Sequence, residues 1–438
     1  MHDIYLVEIR LGRTRWRVNR AVHEIARTFG IVPFMERHPH VTLFGPLELP
    51  EGTDQDQLLN AIGAVASRYD PIPFLIGDYE KREGLHGSVI AFSVTPSGRL
   101  RDLVRELAAA LLPLTITHNA WDAHPDQKWY HVTIANRLDR AVAGFVYSAL
   151  TGSHETGMPQ DFWREVIFRF LARIRQVVFL GSRHPIRPLL IDETGLRITV
   201  LAKNTIVAEY DLLEKRWIHD DHRQSSKGWQ ATLTRFRRQA GFELKHPVPP
   251  APDDILLLAD LHLGHANIIR YCSRPFFVSD PGEMDRVLIA NWNAAVPQGT
   301  RAYHLGDFYY GRDAQPEDAY RTRLTGDITF IAGNHDPGRP GLLASAEITY
   351  GGLNFFLVHD PADVPAGFDG WIIHGHHHNN DLAHSPFIDF VHCRINVSAE
   401  VTGYVPVSLA ALCTIIRNRQ ATGNNEPVLL RSPTSELT

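Results

Sequence analysis

Ile255-Leu-Leu-Leu-Ala-Asp260-Leu-His262 decides how the second half of this chain folds. Five apolar residues in a row predict a strand buried on both faces, and the run delivers a carboxylate and an imidazole at its C-terminal end. The same device recurs. Apolar strands predicted over 301–305, 328–332, 353–358 and 371–374 are followed at once by Gly306-Asp307, Gly333-Asn334-His335-Asp336, His359 and Gly375-His376-His377-His378. Loops at strand ends are where a rigid scaffold presents its functional groups. A helix is predicted between them, over 282–294.

Carboxylate, imidazole and amide oxygen suit hard or borderline divalent ions. One ion is expected on Asp260, His262 and His378, and a second on Asn334, His359 and His376, with Asp307 bridging them. Such a pair clamps a phosphate and acidifies a shared water, making hydroxide at neutral pH. His335 is expected to face the phosphate and to protonate the leaving oxygen or neutralise charge, its ring held by Asp336. His265 either reaches the phosphate or supports a ligand. His374 and His377 read as structural, and His304 as packing beside Asp307. With 24 histidines in the chain a single pair means little. Five blocks in order, each after an apolar strand, mean far more.

Taken together the blocks resemble the calcineurin-like metallophosphoesterase family over nearly all of residues 253–438. The resemblance implies the ligand assignment above, a four-layer α/β/β/α sandwich, and two divalent metal ions, for which manganese, iron with zinc, or nickel fit the donors. Asp260-Leu-His-Leu-Gly-His-Ala-Asn267, Arg274-Pro275-Phe276 and Tyr303-His-Leu-Gly-Asp-Phe308 are similar to a bacterial and phage subgroup, which implies no particular substrate.

The first half carries a different chemistry. His40-Val-Thr42 and His131-Val-Thr133 are the same tripeptide 91 positions apart. In a strand His and Thr of such a tripeptide share a face. Strands are predicted at 4–9, 41–44, 72–77, 88–95 and 131–134, and helices at 16–29, 54–68 and 99–111. Strand, helix and an HVT strand thus occur twice, a weak duplication that builds two lobes around one cleft. Two imidazoles and two hydroxyls would meet there. One histidine takes a proton from water, the other gives one to the leaving oxygen, and the threonines hold phosphate oxygens. No metal is required.

This half resembles the two-histidine (2H, LigT-like) phosphoesterase superfamily over about residues 1–215. That implies His40 and His131 as the catalytic pair, Thr42 and Thr133 as phosphate holders, and 2′,3′-cyclic phosphate ends or 2′–5′ linkages as substrates. Where several relatives carry an arginine soon after the second motif, this chain has Asn136 and then Arg137. His40 is read as the acid and His131 as the base, although the motifs alone leave the order open. Trp129 and Tyr130 stack on a base or fill the core. Arg37 contacts phosphate or lies in solvent. His38, His86 and His124 belong to the surface or the pocket rim.

At 438 residues the chain exceeds one ordinary core. Lys245-His-Pro-Val-Pro-Pro-Ala-Pro252 is the best boundary. The division expected is 1–217, a 2H-like domain; 218–252, a basic helix over about 224–240 and the proline-rich linker; and 253–438, the metal domain. Further helix is expected over 139–173, with a glycine-containing break near 152–157, and strands at 176–180, 188–191, 196–201 and 205–211. Residues 1–249 hold 32 Lys/Arg against 28 Asp/Glu, and residues 250–438 hold 12 against 21, with no lysine. A basic first half suits a polyanion or is ordinary surface. Cys272, Cys393 and Cys413 are too few and scattered for a disulfide frame or a thiolate zinc site. With no signal-like start and no membrane span expected, a reducing cytoplasm is expected.

The two halves together predict a bifunctional phosphoric ester hydrolase in RNA end processing. One centre opens a cyclic phosphate, and the other removes the monoester or cuts a diester. Small cyclic nucleotides or an ADP-ribose cyclic phosphate are alternative substrates. A further alternative is an RNA-end-binding first half with only the metal domain active. The sequence leaves open the metal, the 2′ or 3′ product, the oligomeric state and whether the sites act in order.

Overall fold

The computed structural model describes residues 3–33, 38–84, 87–117, 119–152, 190–218, 226–239, 250–312, 314–336 and 338–430. Over these described residues its architecture is mixed α/β with four sheets. The first half contributes β1 (Tyr5–Arg10), β2 (His40–Glu48), β3 (Ile72–Gly84), β4 (Gly87–Pro96), β5 (Ile116–Thr117), β6 (His131–Leu138), β7 (Ile191–Gly195), β8 (Arg197–Ala202), β9 (Thr205–Asp211) and β10 (Arg216–Trp217). These form two antiparallel sheets, ordered β10-β9-β8-β1-β2-β5 and β6-β4-β3-β7. Each sheet holds one His-Val-Thr strand, β2 in the first and β6 in the second.

Four helices, α1 (Arg15–Phe29), α2 (Gln55–Ala66), α3 (Gly98–Leu111) and α4 (Arg140–Thr151), cover the sheets. Their limits follow local chemistry. Gly30 ends α1 at φ 64, where glycine has no Cβ penalty. Asp54 and Gln57 make a reciprocal capping box on α2, and Ser97 and Asp139 cap α3 and α4. One apolar cluster joins both sheets and all four helices. Each fully buried Val, Ile or Leu in it contributes about 1.5–3 kcal/mol.

Some expectations shift. The segment at 4–9, expected as an alternating strand, is the central strand between β2 and β8, and every residue from Tyr5 to Ile9 is buried. The strand expected at 188–191 is β7, displaced to 191–195. Helix α4 stops at Gly152, where the glycine-containing break is expected. The rest of the 139–173 helix, the 176–180 strand, Arg37, His86 and most of the proline-rich linker lie outside the described residues.

Helix α5 (Ser226–Gln239) occupies the expected basic stretch. Its described arginines point inward rather than to solvent. Arg235 pairs with Asp211, while Arg237, 1 % exposed, donates to the Pro275 carbonyl and pairs with Glu283. From the other side, Arg197 donates to the Gly228 carbonyl and to Thr232. The helix therefore ties both halves together.

The second half contains β11 (Ile255–Leu258), β12 (Arg301–Leu305), β13 (Asp327–Ile331), β14 (Ser345–Tyr350), β15 (Leu353–Val358), β16 (Trp371–His374), β17 (Ile388–Asp389), β18 (Arg394–Asn396) and β19 (Val407–Ser408), with helices α6 (Ala266–Tyr271), α7 (Pro281–Ala295) and α8 (Leu409–Thr422). One sheet runs β13-β12-β11-β19 and the other β14-β15-β16-β18-β17. Strands β11, β12 and β13 are mutually parallel, as are β15, β16 and β18. Residues of both sheets share one apolar cluster. A second cluster places α6 and α7 against the first sheet.

Candidate active sites

His40 opens β2 and His131 opens β6. Strand alternation sends Val41 and Leu43 into the core and leaves His40 and Thr42 half-buried; Val132 and Ile134 do the same for His131 and Thr133. The two rings are held identically. Nδ1 of His40 lies 2.9 Å from the His38 carbonyl oxygen, and Nδ1 of His131 lies 3.0 Å from the Trp129 carbonyl oxygen. A neutral ring so held donates from Nδ1 and keeps Nε2 as its basic nitrogen. The rings also feel each other. Burial lowers the His131 pKa to about 4, and repulsion from His40, Lys128 and Arg82 adds to that.

Glu8 is the residue that sequence reasoning missed. It lies opposite Thr42 in the β1–β2 ladder and is fully buried. One carboxylate oxygen meets Nε2 of His38 and the other lies 3.6 Å from Nε2 of His40. The signal was present as a lone acid inside an apolar run. Trp129 also takes a different part. Its ring stacks on His131 at 3.7 Å and 13°, the Arg82 guanidinium lies 4.6 Å from its centroid, and its indole nitrogen donates to Glu80. At 7 % exposure it has no room for a base and instead braces the histidine. Tyr130 belongs to the core. His38 is tied to Glu8, while His124 and Arg137 are exposed. Arg82 and Lys128 carry positive charge toward His131 where the expected arginine is absent.

In the second half all seven metal-ligand candidates meet at the strand ends. Donor atoms of Asp260, His262 and His378 lie within 4.8 Å of one another, and so do those of Asp260, Asp307 and His359. Oδ1 of Asn334 lies 3.0 Å from Nε2 of His359 and 2.9 Å from Nδ1 of His376. Oδ2 of Asp307 sits 3.4 Å from Nε2 of both His262 and His359, between the two groups. Five of the seven, Asp260, His262, Asp307, His376 and His378, have φ between 48° and 68°. Left-handed backbone at residues other than glycine is costly and clusters at functional sites.

The surroundings support these side chains. Nδ1 of His359 is held by the Leu305 carbonyl at 2.8 Å. Glu400 lies 3.1 Å from Nδ1 of His378 and accepts from Arg274, whose guanidinium also donates to the carbonyls of Asp260 and Leu261. The buried Cys272 thiol lies in the same group with His378 and Glu400. Neither Cys272 nor Glu400 was singled out by sequence. Partners of this kind orient the ligands they touch.

His335 is half-buried, with Nε2 3.9 Å from Asp307 and its ring 4.2 Å from Tyr310. Asp336 does not hold that ring. It accepts from the backbone amides of Asp307 and Gly333, so it shapes the two ligand loops. His265 lies between His262 and Tyr310, with Nδ1 3.2 Å from that of His262. His304 packs among Trp292, Phe308 and Phe330. His374 is buried, its Nδ1 held by the Gly375 carbonyl. His377 rests edge-on against His374 and His376.

Residues 15–170 match the family model of the 2′-5′ RNA ligase superfamily. Over 164 residues the chain is 44 % identical to an uncharacterized protein of Methanocaldococcus jannaschii, spanning 37 % of this chain and 90 % of that protein. Among solved structures it is similar to a protein of unknown function from Aquifex aeolicus, at 21 % identity and TM-score 0.29, over 37 % of this chain and 99 % of that one. It is similar to a predicted phosphoesterase of Streptococcus pneumoniae TIGR4 at 14 % identity and TM-score 0.19, over 33 % and 71 %. Usb1 of Kluyveromyces marxianus, solved with uridine monophosphate, is 12 % identical at TM-score 0.24, over 47 % and 95 %.

Proposed function

We propose that this chain, which shares a family with the Methanocaldococcus protein and whose residues 15–170 fall in the 2′-5′ RNA ligase superfamily, is a phosphoesterase with two centres. The first half opens 2′,3′-cyclic phosphates on RNA ends or nucleotides. The observation that carries this is the twin setting of His40 and His131, each with Nδ1 on the carbonyl two residues back and a threonine on the same face. His131, neutral at pH 7, takes the proton from water as its oxygen bonds to phosphorus. The bond to one ribose oxygen breaks, and His40 gives that oxygen its proton. Glu8 is the charge partner for that proton. The product is a phosphomonoester. Thr42 and Thr133 hold the non-bridging oxygens.

The second half is proposed as a metallophosphoesterase of sandwich type that hydrolyses a phosphomonoester or diester. Its donors fit divalent cations. Nε2 of His359, whose Nδ1 the Leu305 carbonyl holds, faces the oxygens of Asn334 and Asp307, so imidazole, amide and carboxylate converge on one point. Nε2 of His262 is buried and makes no hydrogen bond among the described residues. Such groups call for a partner. Burial lowers the His262 pKa to about 3, leaving the neutral ring that metals bind. Asp260, His262 and His378 would hold one ion and Asn334, His359 and His376 another, with Asp307 shared. Manganese is the first candidate. The ions would supply Lewis acidity toward a phosphoryl group. His335, at the mouth, would give the leaving oxygen its proton.

In sequence the centres would turn a cyclic phosphate end into a diol. The test supplies a cyclic-phosphate oligonucleotide and manganese to the full chain and follows both the monoester and inorganic phosphate. His40→Ala should stop both products. Asp307→Asn or a chelator should stop phosphate release and let the monoester accumulate. Phosphate release that survives His40→Ala excludes the ordered scheme.

A further inference from the structure

A cleft of about 530 Å³ opens where α1 and α5 face α6 and the segment after it. None of its fourteen lining residues is Asp or Glu, and four are arginines, in a chain whose net charge is −5. Arg13 and Arg274 are engaged already, with Asp192 and Glu400. Arg15 and Arg270 are exposed and make no ion pair among the described residues. Between these cations lie two indoles. Trp16 meets Tyr271 at 5.4 Å, and Trp229 packs over Gly12 so closely that a Cβ there would lie 1.6 Å from its ring. Asn19 adds an amide to the same wall.

Guanidinium groups match phosphate oxygens, and indoles offer flat apolar faces for a base. The volume falls within the ordinary range for a small-ligand pocket. We propose that this cleft is a nucleoside-phosphate site. Arg15 and Arg270 take the phosphate, and Trp16 carries the base, while Trp229, held between Gly12 and the Arg197 guanidinium, closes the wall. None of its residues is an acid–base histidine or a metal-ligand candidate, and it adjoins the metal-ligand cage through Arg274, which braces the Asp260 carbonyl. Its occupant comes as a free nucleotide or as one unit of an RNA strand.

Binding of two probes to the full chain distinguishes these sources. Adenosine 5′-monophosphate is titrated by calorimetry. A labelled oligoadenylate with a 3′-hydroxyl, which carries no cyclic phosphate, is followed by anisotropy at several salt concentrations. The expected result is that Arg15→Ala/Arg270→Ala weakens binding by about tenfold or more. It should also cut the salt slope for the strand by about 0.7, since one neutralised phosphate is lost. Both side chains are exposed, so the melting temperature should hold. Trp16→Leu should weaken binding independently of salt. Binding of the monophosphate identifies a free-nucleotide site, and binding of the strand alone identifies a strand subsite. Equal affinity of wild type and Arg15→Ala/Arg270→Ala for both probes overturns the proposal, as does failure of wild type to bind either.

Discussion

Burial holds the His131 imidazole at about 4, well under the usual value near 6.5. A base must be deprotonated to act, so its activity is present above its pKa and lost as pH falls through it. For cyclic-phosphate opening, the acidic limb of kcat/KM should therefore lie near pH 4. An acidic limb at the ordinary imidazole value would count against His131 as a buried base. Trp129 supplies part of that burial by stacking on the ring. Trp129→Ala should let water in and move the limb upward. In the proposed reaction Glu8 acts through His40, as a positioning residue 3.6 Å from its Nε2. Glu8→Gln keeps the shape and removes the charge. It should lower kcat by about a hundredfold, the lower end of what a positioned acid contributes. KM and the metal-dependent activity should not change. A rise in KM with kcat intact would mean that Glu8 only shapes the pocket.

At the level of strands and turns, the metal-ligand candidates depend on how closely the loops approach one another. A Cβ on Gly333 would lie 2.2 Å from Oδ1 of Asp307, and one on Gly306 would lie 2.4 Å from Nδ1 of His359. Gly306 also has φ 86, which side chains resist. Gly333→Ala should push the Asp307 carboxylate aside and lower manganese affinity by about tenfold or more, as loss of a ligand's support does elsewhere. Cyclic-phosphate opening should persist. Retained manganese binding, read by calorimetry, would remove the steric argument. These turns were legible because each strand before them runs parallel to a neighbour and ends in buried residues, so the ligands follow at once on a largely apolar stretch. Strand β14 was not, since it is a half-exposed edge whose pairing lies with β15. The two- and three-residue strands β17, β18 and β19 are too short to show a period. Glu8 was hidden for another reason. An apolar run with one acid does not say whether the strand is central, and only the neighbours β2 and β8 make it so. Likewise the charges of α5 were visible and their partners Asp211 and Glu283 were not.

Across the whole molecule, the first half reaches the cage in the second. Arg17 of α1 is buried and donates through Nη2 to the Asn379 carbonyl oxygen at 3.1 Å. Asn379 in turn donates to the Cys272 carbonyl at 3.0 Å, and it follows His378 directly in the chain. Arg17 thus fixes the backbone next to a metal-ligand candidate from outside that half. Burial lowers its pKa to about 10, so the cation survives at neutral pH and the bond is charge-assisted. Replacing it with methionine keeps the apolar stem and removes the donor. The folded halves should remain, because Nη1 of Arg17 has no partner to lose among the described residues. Arg17→Met should therefore weaken manganese binding and slow phosphate release by about tenfold, the scale seen when a ligand's outer support is lost. Cyclic-phosphate opening, whose proposed groups lie on β2 and β6, should be unchanged. The informative comparison is with Asn379→Ala, which breaks the next link in the same path. If the two losses are equal and the double variant loses no more, the path is one unit. If Arg17→Met leaves manganese affinity untouched, the halves are joined in space and not in chemistry.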